Sequence, residues 1–496
     1  MPNSWSSSRL DLHISLDTAA GRRSGLESAL RTAIRQGRLP AGTLLPSTRG
    51  LAGELGLSRG TVSAAYGQLV EEGHLTTRPG SGTRVAGVPR GARAAVPPAT
   101  APSAPRHDLR PGLPDISAFP ARAWLAATRR VLTHARPEVF GAGDPQGRTE
   151  LRQALADYLG RTRGVITSPD RIVITSGYYQ GLSLLSGVLA AGGTRTAAVE
   201  DPGHNVFRAV VQRSGLATTA LPVDDRGARV EALTQETGAV FLTPSHQYPT
   251  GVPLHPSRRR TVCAWARSTG GLIVEDDYDG EYRYDRRPVG ALQGTAPEHV
   301  VYCGTVSKTL GPALRLAWLV LPSHLVGPVT RARLRADLYN ETLGQLVLAD
   351  LIGTHAYDRH IRATRQRYRR RRELLLARLT DRPGFTAHGV PAGLHTLVTL
   401  PGDGPAEAEL LARCTRHGVA LRGLTELHHD PAGRPQGLLI GFAAPSERAF
   451  PAALDALSTA LASEGGDHGG GGTEGRAGGD TEGRDGALRL PPTLEA

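Results

Sequence analysis

Six short apolar runs dominate the middle of this chain: RIVITS at 171–176, TAAVE at 196–200, AVFLT at 239–243, LIVED at 272–276, HVVYCG at 299–304 and LAWLVLP at 316–322. Amphipathic stretches or loops separate most of them. That alternation requires a largely parallel sheet covered by helices, an α/β architecture, and about 350 residues are available for its core. The basic segment RHIRATRQRYRRRRELLLARL at 359–379 reads as a long helix with a solvated face, leading into a small C-terminal subdomain.

The only lysine, Lys308, stands among 57 arginines, inside GTVSKTLGPALRL. Arginine serves wherever a positive charge suffices, but a guanidinium stays protonated and cannot condense with an aldehyde. A retained amine points to Schiff-base chemistry. The plain alternative is one leftover surface lysine, and the neighbouring residues decide against it. Thr305 and Ser307 supply hydroxyls and Arg315 a guanidinium fork, a set suited to a phosphate dianion beside the amine. LIVEDDY at 272–278 is a strand that ends in acids, where a carboxylate can pair with a protonated pyridine nitrogen. RIVITSGYYQGLSLL is a strand, a glycine turn and a helix whose first N–H groups can cap a phosphate. FLTPSHQYPTG is a strand opening into a Pro/Gly turn. Each piece is common by itself; in this order and spacing they describe one cofactor site.

The first 86 residues read differently. Ser24 to Arg38 makes a helix with Leu26, Leu30 and Ile34 on one face. Ser47 can N-cap a short helix that Gly56 ends, and Leu57 and Ser58 open a second helix with Val62, Ala65, Leu69 and Val70 turned inward. Two short helices joined by a tight turn form a helix-turn-helix. The first turn of the second helix presents Ser58, Arg59, Gly60 and Thr61, the positions that reach base edges and phosphates in the major groove. HLTTRPGSGTRVA then gives two strands around a Pro/Gly/Ser tip, a wing.

PSTRGLAGELGLSRGTVSAAYGQLVEEG with that wing resembles the winged helix of GntR regulators, and residues 108–463 resemble a fold-type I aminotransferase domain, a family that binds pyridoxal 5′-phosphate (PLP). Within it GLPDISAFPARAW, GDPQGRTELRQALADYL, TPSHQYPTG, EDDYDGEYRY and YCGTVSKTLGPALRL resemble the MocR group of GntR-type regulators, which includes GabR- and PdxR-like proteins. The resemblance implies that Lys308 is the internal aldimine lysine and Arg315 a phosphate ligand. Ser307 and Thr305 would support the phosphate, with the backbone N–H groups of Tyr178 and Tyr179. Asp276 would face the pyridine nitrogen, Tyr278 the ring hydroxyl, and His204 would lie over the ring. It further implies DNA contact by Arg49, Ser58, Arg59, Thr61 and Ser63, with Arg78 and Gly82 on the wing, and a homodimer that binds operator DNA and PLP, or PLP joined to an amine effector. Asp277 and Asp279 are expected to be solvated or capping.

Two departures bear on activity. Tyr248 precedes Pro249 where aminotransferases write asparagine, and Leu439 stands where they carry the arginine that clamps an amino acid carboxylate. Arg422 or Arg434 is a possible stand-in. Without one, transaminase activity is at most weak. Val206 also replaces an arginine that GabR-like proteins use for their amino acid effector, which turns the reading from 4-aminobutyrate toward control of vitamin B6 synthesis.

A net charge of +12 fits a polyanion partner, although residues 1–90 hold only 11 arginines against 6 acids. Cys263, Cys303 and Cys414 are scattered, as reduced packed thiols are. No apolar stretch approaches membrane-spanning length and no signal peptide is visible, so a cytoplasmic protein is expected. Residues 87–107 read as a flexible Pro/Ala linker and 464–496 as a disordered Gly-rich tail. Three functions compete: a PLP-responsive transcription regulator, an aminotransferase with a DNA-binding anchor, and a GntR repressor with a cofactor-free dimerisation scaffold. The intact set of Lys308, Asp276, Tyr278 and Arg315 favours the first.

Overall fold

A computed structural model describes residues 21–78, 81–87, 105–285, 289–380, 382, 384–400 and 404–462. The chain divides into two compact units, Met1–Pro102 and Ser103–Ala496. The linker expected over 87–107 lies mostly, and the tail over 464–496 wholly, outside the described residues.

In the first unit, α1 (Arg22–Arg35) packs on α3 (Arg59–Glu71), with α2 (Thr48–Leu55) between them in the chain. The Ser47 hydroxyl caps α2 by accepting the Gly50 N–H, and Gly56 ends it in the left-handed region at φ 61°. The Ser58 hydroxyl caps α3 by accepting the Thr61 N–H at 3.0 Å. Leu26, Leu30, Leu51, Val62, Ala65, Tyr66 and Leu69 close the core. Val70 is 36% exposed, contrary to expectation: the inward place belongs to Tyr66, four residues earlier, whose hydroxyl donates to the Pro46 carbonyl. The wing is the antiparallel pair β1 (Leu75–Arg78) and β2 (Gly82–Val85).

In the second unit, β3 (His107–Asp108) precedes α4 (Ala121–His134) and α5 (Thr149–Arg163). There follow β4 (Ile172–Thr175), α6 (Tyr178–Ala191), β5 (Thr196–Asp201), α7 (Asn205–Arg213), β6 (Ala217–Asp224), β7 (Gly227–Ala228), β8 (Ala239–Leu242), α8 (Pro256–Thr269), β9 (Leu272–Asp276), β10 (Val300–Thr305) and β11 (Ala317–Val320). Their sheet runs β4-β11-β10-β9-β8-β5-β6-β7. Strands β10, β9, β8, β5 and β6 pair in parallel, while β11 and β7 run against them. All six apolar runs became strands. Helices cover both faces, and the apolar side chains of β4, β5 and β8 to β11 are divided between three core clusters. Helices α9 (Ser323–Asp337), α10 (Leu343–Gly353) and α11 (Ala356–Thr380) lead to a smaller subdomain. Its four-stranded sheet is β12 (Thr386–His388), β13 (His395–Thr399), β16 (Gly437–Gly441) and β15 (Arg422–Gly423), with α12 (Glu407–Arg416), β14 (Val419–Ala420) and α13 (Phe450–Leu461) around it. The basic α11 is not wholly solvated: Arg371 is 1% exposed and bonds Asp115, Glu447 and two carbonyls. All three cysteines are free and buried, and burial pushes the Cys414 thiol up to about 11. Among the described residues no helix is long and apolar enough to cross a membrane.

Candidate cofactor and DNA-binding sites

The parallel strands deliver one loop each to the same edge of the sheet, the place where open α/β sheets bind ligands. Strand β10 runs into Val306, Ser307 and Lys308; β9 ends on Asp276; β8 opens into the turn that holds His246 and Tyr248; β5 leads to His204. One cavity is lined by Lys308, Asp276, Tyr278, Thr305, Ser307, Tyr178, His204 and Tyr248. Gly112 closes over the amine: a Cβ built there would stand 3.2 Å from Lys308 Nζ.

Asp276 is buried, which pushes its carboxyl well above the usual range, and Lys308 opposes that shift. Tyr178 offers it a hydroxyl hydrogen bond from the start of α6. His204 is a neutral ring, because burial, and then Arg422 and Lys308, bring it down to about 3. It stacks on Phe207 at 3.8 Å and 16°, with Nδ1 buried and unpartnered. The Thr305 hydroxyl lies 3.0 Å from that of Ser307 and accepts the Ser307 N–H at 3.1 Å, fixing the loop before the lysine.

Arg315 does not line the cavity. It sits at φ 51° and donates to the Ser176 carbonyl at 2.6 Å, beside the N-terminus of α6. Gly177, at φ 88°, permits this approach, since a Cβ there would meet the guanidinium within 2.9 Å. Tyr179 is 36% exposed, and its hydroxyl bonds Arg213, so its side chain is directed elsewhere.

The structure corrects several expectations. Asp277 and Asp279 are neither solvated nor capping. Asp277 is paired with buried Arg163 at 2.6 and 2.8 Å and accepts the Tyr302 hydroxyl; Asp279 faces His246 at 2.8 Å. Arg422 pairs with Glu426 and Arg434 with Asp201, and neither lines the cavity. Leu439 is fully buried in an apolar cluster with Leu397, Leu424, Leu427 and Tyr248. The arginine that does line the cavity is Arg208, one helical turn after His204, whose buried Nη1 has no partner. That four-residue spacing was the signal available in the sequence.

On the first unit, Arg49, Ser58, Arg59 and Ser63 are exposed, as are Arg78 and Gly82 on the wing. Thr61 is half-buried, its hydroxyl 2.8 Å from that of Ser58.

The profile of the aminotransferase class I and II family matches residues 113–457, and that of the bacterial gntR regulatory family matches residues 23–85. The chain belongs to the MocR-type group of gntR-family regulators. It is 33% identical over 457 residues to the HTH-type pyridoxine biosynthesis transcriptional regulator PdxR of Corynebacterium glutamicum, covering 88% of this chain and 95% of that one. It is 31% identical to the probable rhizopine catabolism regulatory protein MocR of Rhizobium meliloti, covering 88% and 93%. Among solved structures it resembles the kynurenine aminotransferase of Pyrococcus horikoshii, with a TM-score of 0.64 and 25% identity over 71% of this chain and 90% of that one. The N-terminal unit is thus a winged helix and the second an aminotransferase fold.

Proposed function

We propose that this MocR-type protein is a PLP-responsive transcription regulator, acting on genes of vitamin B6 synthesis or of amine and amino acid metabolism. The carrying observation is that the sole amine, Lys308, shares one cavity with Asp276, Tyr278, Ser307, Thr305 and His204 in a chain that also carries a gntR-type winged helix. These residues fit the cofactor. Arg315, the start of α6 at Tyr178 and Tyr179, Ser307 and Thr305 would hold its phosphate; Asp276 would take the ring nitrogen, Tyr278 the ring hydroxyl, and His204 the ring face. When bound, PLP supplies an aldehyde that condenses with amines and a ring that draws electrons. Lys308 would be the amine that takes that aldehyde.

The sensor reading is favoured over an aminotransferase by the small-subdomain side of the site. Leu439, expected at the position of a carboxylate clamp, is buried among apolar neighbours, and Arg422 and Arg434 already pair with Glu426 and Asp201. An anionic group on an amine effector would meet Arg208 instead. The printed name of the C. glutamicum relative supports vitamin B6 genes as targets. A homodimer is supported by large apolar side chains left exposed on the second unit: Leu125 and Leu132 on α4, Phe140, Leu338 and Tyr339.

Lys308→Ala tests the reading. Wild-type protein with PLP should turn yellow and, after borohydride, carry the cofactor on Lys308; the variant should do neither. PLP should shift operator affinity or footprint length for wild type alone, and DNA should change PLP affinity by the same factor. Identical footprints with and without PLP, together with amino acid turnover at enzyme-like rates, would replace the regulator by the aminotransferase.

A further inference from the structure

Tyr278 is tied to a buried pair that the cofactor assignments leave unused. His246, in the turn after β8, and Asp279, just past β9, are 4% and 3% exposed, and Nδ1 of the first lies 2.8 Å from Oδ2 of the second. The same Nδ1 is 3.0 Å from the Tyr278 hydroxyl, whose single proton points to the His246 carbonyl at 3.1 Å here and can turn to the cavity only when an acceptor is bound there. A carboxylate can only accept, so Asp279 fixes the proton on Nδ1, and this N–H is then a donor for the Tyr278 oxygen as well. A phenol oxygen that accepts a hydrogen bond becomes a stronger donor through its own proton.

The surroundings are built to keep the imidazole in this one place. Gly393, before β13, adopts φ 71° directly against it; a Cβ there would overlap the His246 ring and stand 2.7 Å from Asp279 Oδ2. The ring of His395 on β13 packs at 5.3 Å. Two buried polar groups are costly to hold inside a fold, and neither reaches the cavity, whereas Tyr278 does.

We propose that His246, oriented by Asp279, is a positioning residue for Tyr278, holding its hydroxyl as a polarised donor toward the cavity that contains Lys308. The assignment rests on the PLP reading, in which Tyr278 serves the ring hydroxyl of the cofactor. A donor from Tyr278 at that oxygen would favour its anionic form and so lower the pH at which PLP bound at Lys308 would lose its proton. Losing the donor raises the midpoint. The other charged or titratable groups facing Tyr278 and His246 are Asp276 on β9, Lys308 after β10, Tyr248 in the β8 turn and His395 on β13, and all stay in place in the variants below.

The experiment follows the visible absorbance of the PLP-loaded full chain against pH. His246→Ala should raise the midpoint by about half a unit to one unit, the size of one net hydrogen bond. Tyr278→Phe should raise it at least as far, and the double variant no further than Tyr278→Phe alone. His246→Asn, which returns an N–H near the position of Nδ1, should recover most of the shift. His246→Leu, close in size to the imidazole and without a donor, leaves the Asp279 charge in place, should move the midpoint in the same direction and carries the test if His246→Ala does not fold. Unchanged midpoints, or additive shifts in the double variant, overturn the positioning role while leaving the PLP reading intact. A wild-type protein that takes up no PLP overturns both.

Discussion

Helix α3, proposed to read DNA, and the Lys308 cavity, proposed to hold PLP, place their candidate residues in opposite surroundings. Ser58, Arg59 and Ser63 stand in solvent on the outer face of α3, while Val62, Ala65, Tyr66 and Leu69 hold it from behind. In the cavity, Asp276, Thr305 and Ser307 are buried, and a further ring of buried polar residues, Asp277, Arg163, Asp279 and His246, supports them. A surface reader separates recognition from folding, so either can change alone. A buried site merges them, because each group that binds also satisfies a neighbour. Changes around the cavity should therefore register first as lost stability, and changes on the helix as lost affinity.

The support ring offers the largest effect. Arg163 donates twice to Asp277 and once to Ser245, and Tyr302 donates to the same carboxylate. Arg163→Ala leaves a buried carboxylate without its cation, and should destabilise the second unit by about 3 to 5 kcal/mol. Denaturant unfolding of the full chain measures this, with the PLP band as a local probe. A loss under about 1 kcal/mol would mean that water replaces the guanidinium, and would erase the contrast with the surface site.

On the helix the contrast should reverse. Arg49→Ala and Arg59→Ala should each weaken operator binding by about 1 to 3 kcal/mol, with stability unchanged within about 0.5 kcal/mol. Removing a phosphate contact also lowers the salt slope, whereas removing a base contact relaxes sequence preference. Fluorescence titration at several salt concentrations on cognate and scrambled DNA assigns each arginine. Full affinity in the double variant would move the reading surface away from α3.

The two regions also differ in how much the sequence disclosed. The N-terminal helices and wing were legible because short-range signals define them: the caps Ser47, Ser58 and Gly56 act within four residues. Strands β4, β5 and β8 to β11 were legible as apolar runs. Strand β6 was not, because it is half-exposed near the sheet edge and reads ATTALPVD, with polar residues along its length. The candidate cofactor residues stood out through chemistry, a single lysine and an acid at a strand end. Their support did not. Asp277 lies 114 positions from Arg163, and Asp279 lies 33 from His246, so nothing local separates these acids from solvated ones. The same limit hid the pairing of Arg434 with distant Asp201, and it left Leu439 without its apolar cluster; the Arg422–Glu426 pair, four residues apart, was within reach of the sequence.

Ser58 is the one residue at which the separation between folding and reading fails on the surface, and its effect should be the smallest. Its hydroxyl accepts the Thr61 N–H at 3.0 Å and lies 2.8 Å from the Thr61 hydroxyl, so it caps the helix on which it is also a proposed DNA contact. Ser58→Ala should lower the stability of the first unit by about 1 kcal/mol and weaken operator binding as well. Thr61→Ala keeps the cap and should leave stability nearly unchanged. Ser58→Asp separates the two roles: an aspartate caps as well as serine and suits the positive end of the helix dipole, yet it sets a negative charge against phosphate. Stability should be retained while operator affinity falls. If Ser58→Asp binds operator as tightly as wild type, Ser58 is a cap alone, and the bases and phosphates are met further along the helix, at Ser63 and beyond, or by Arg59.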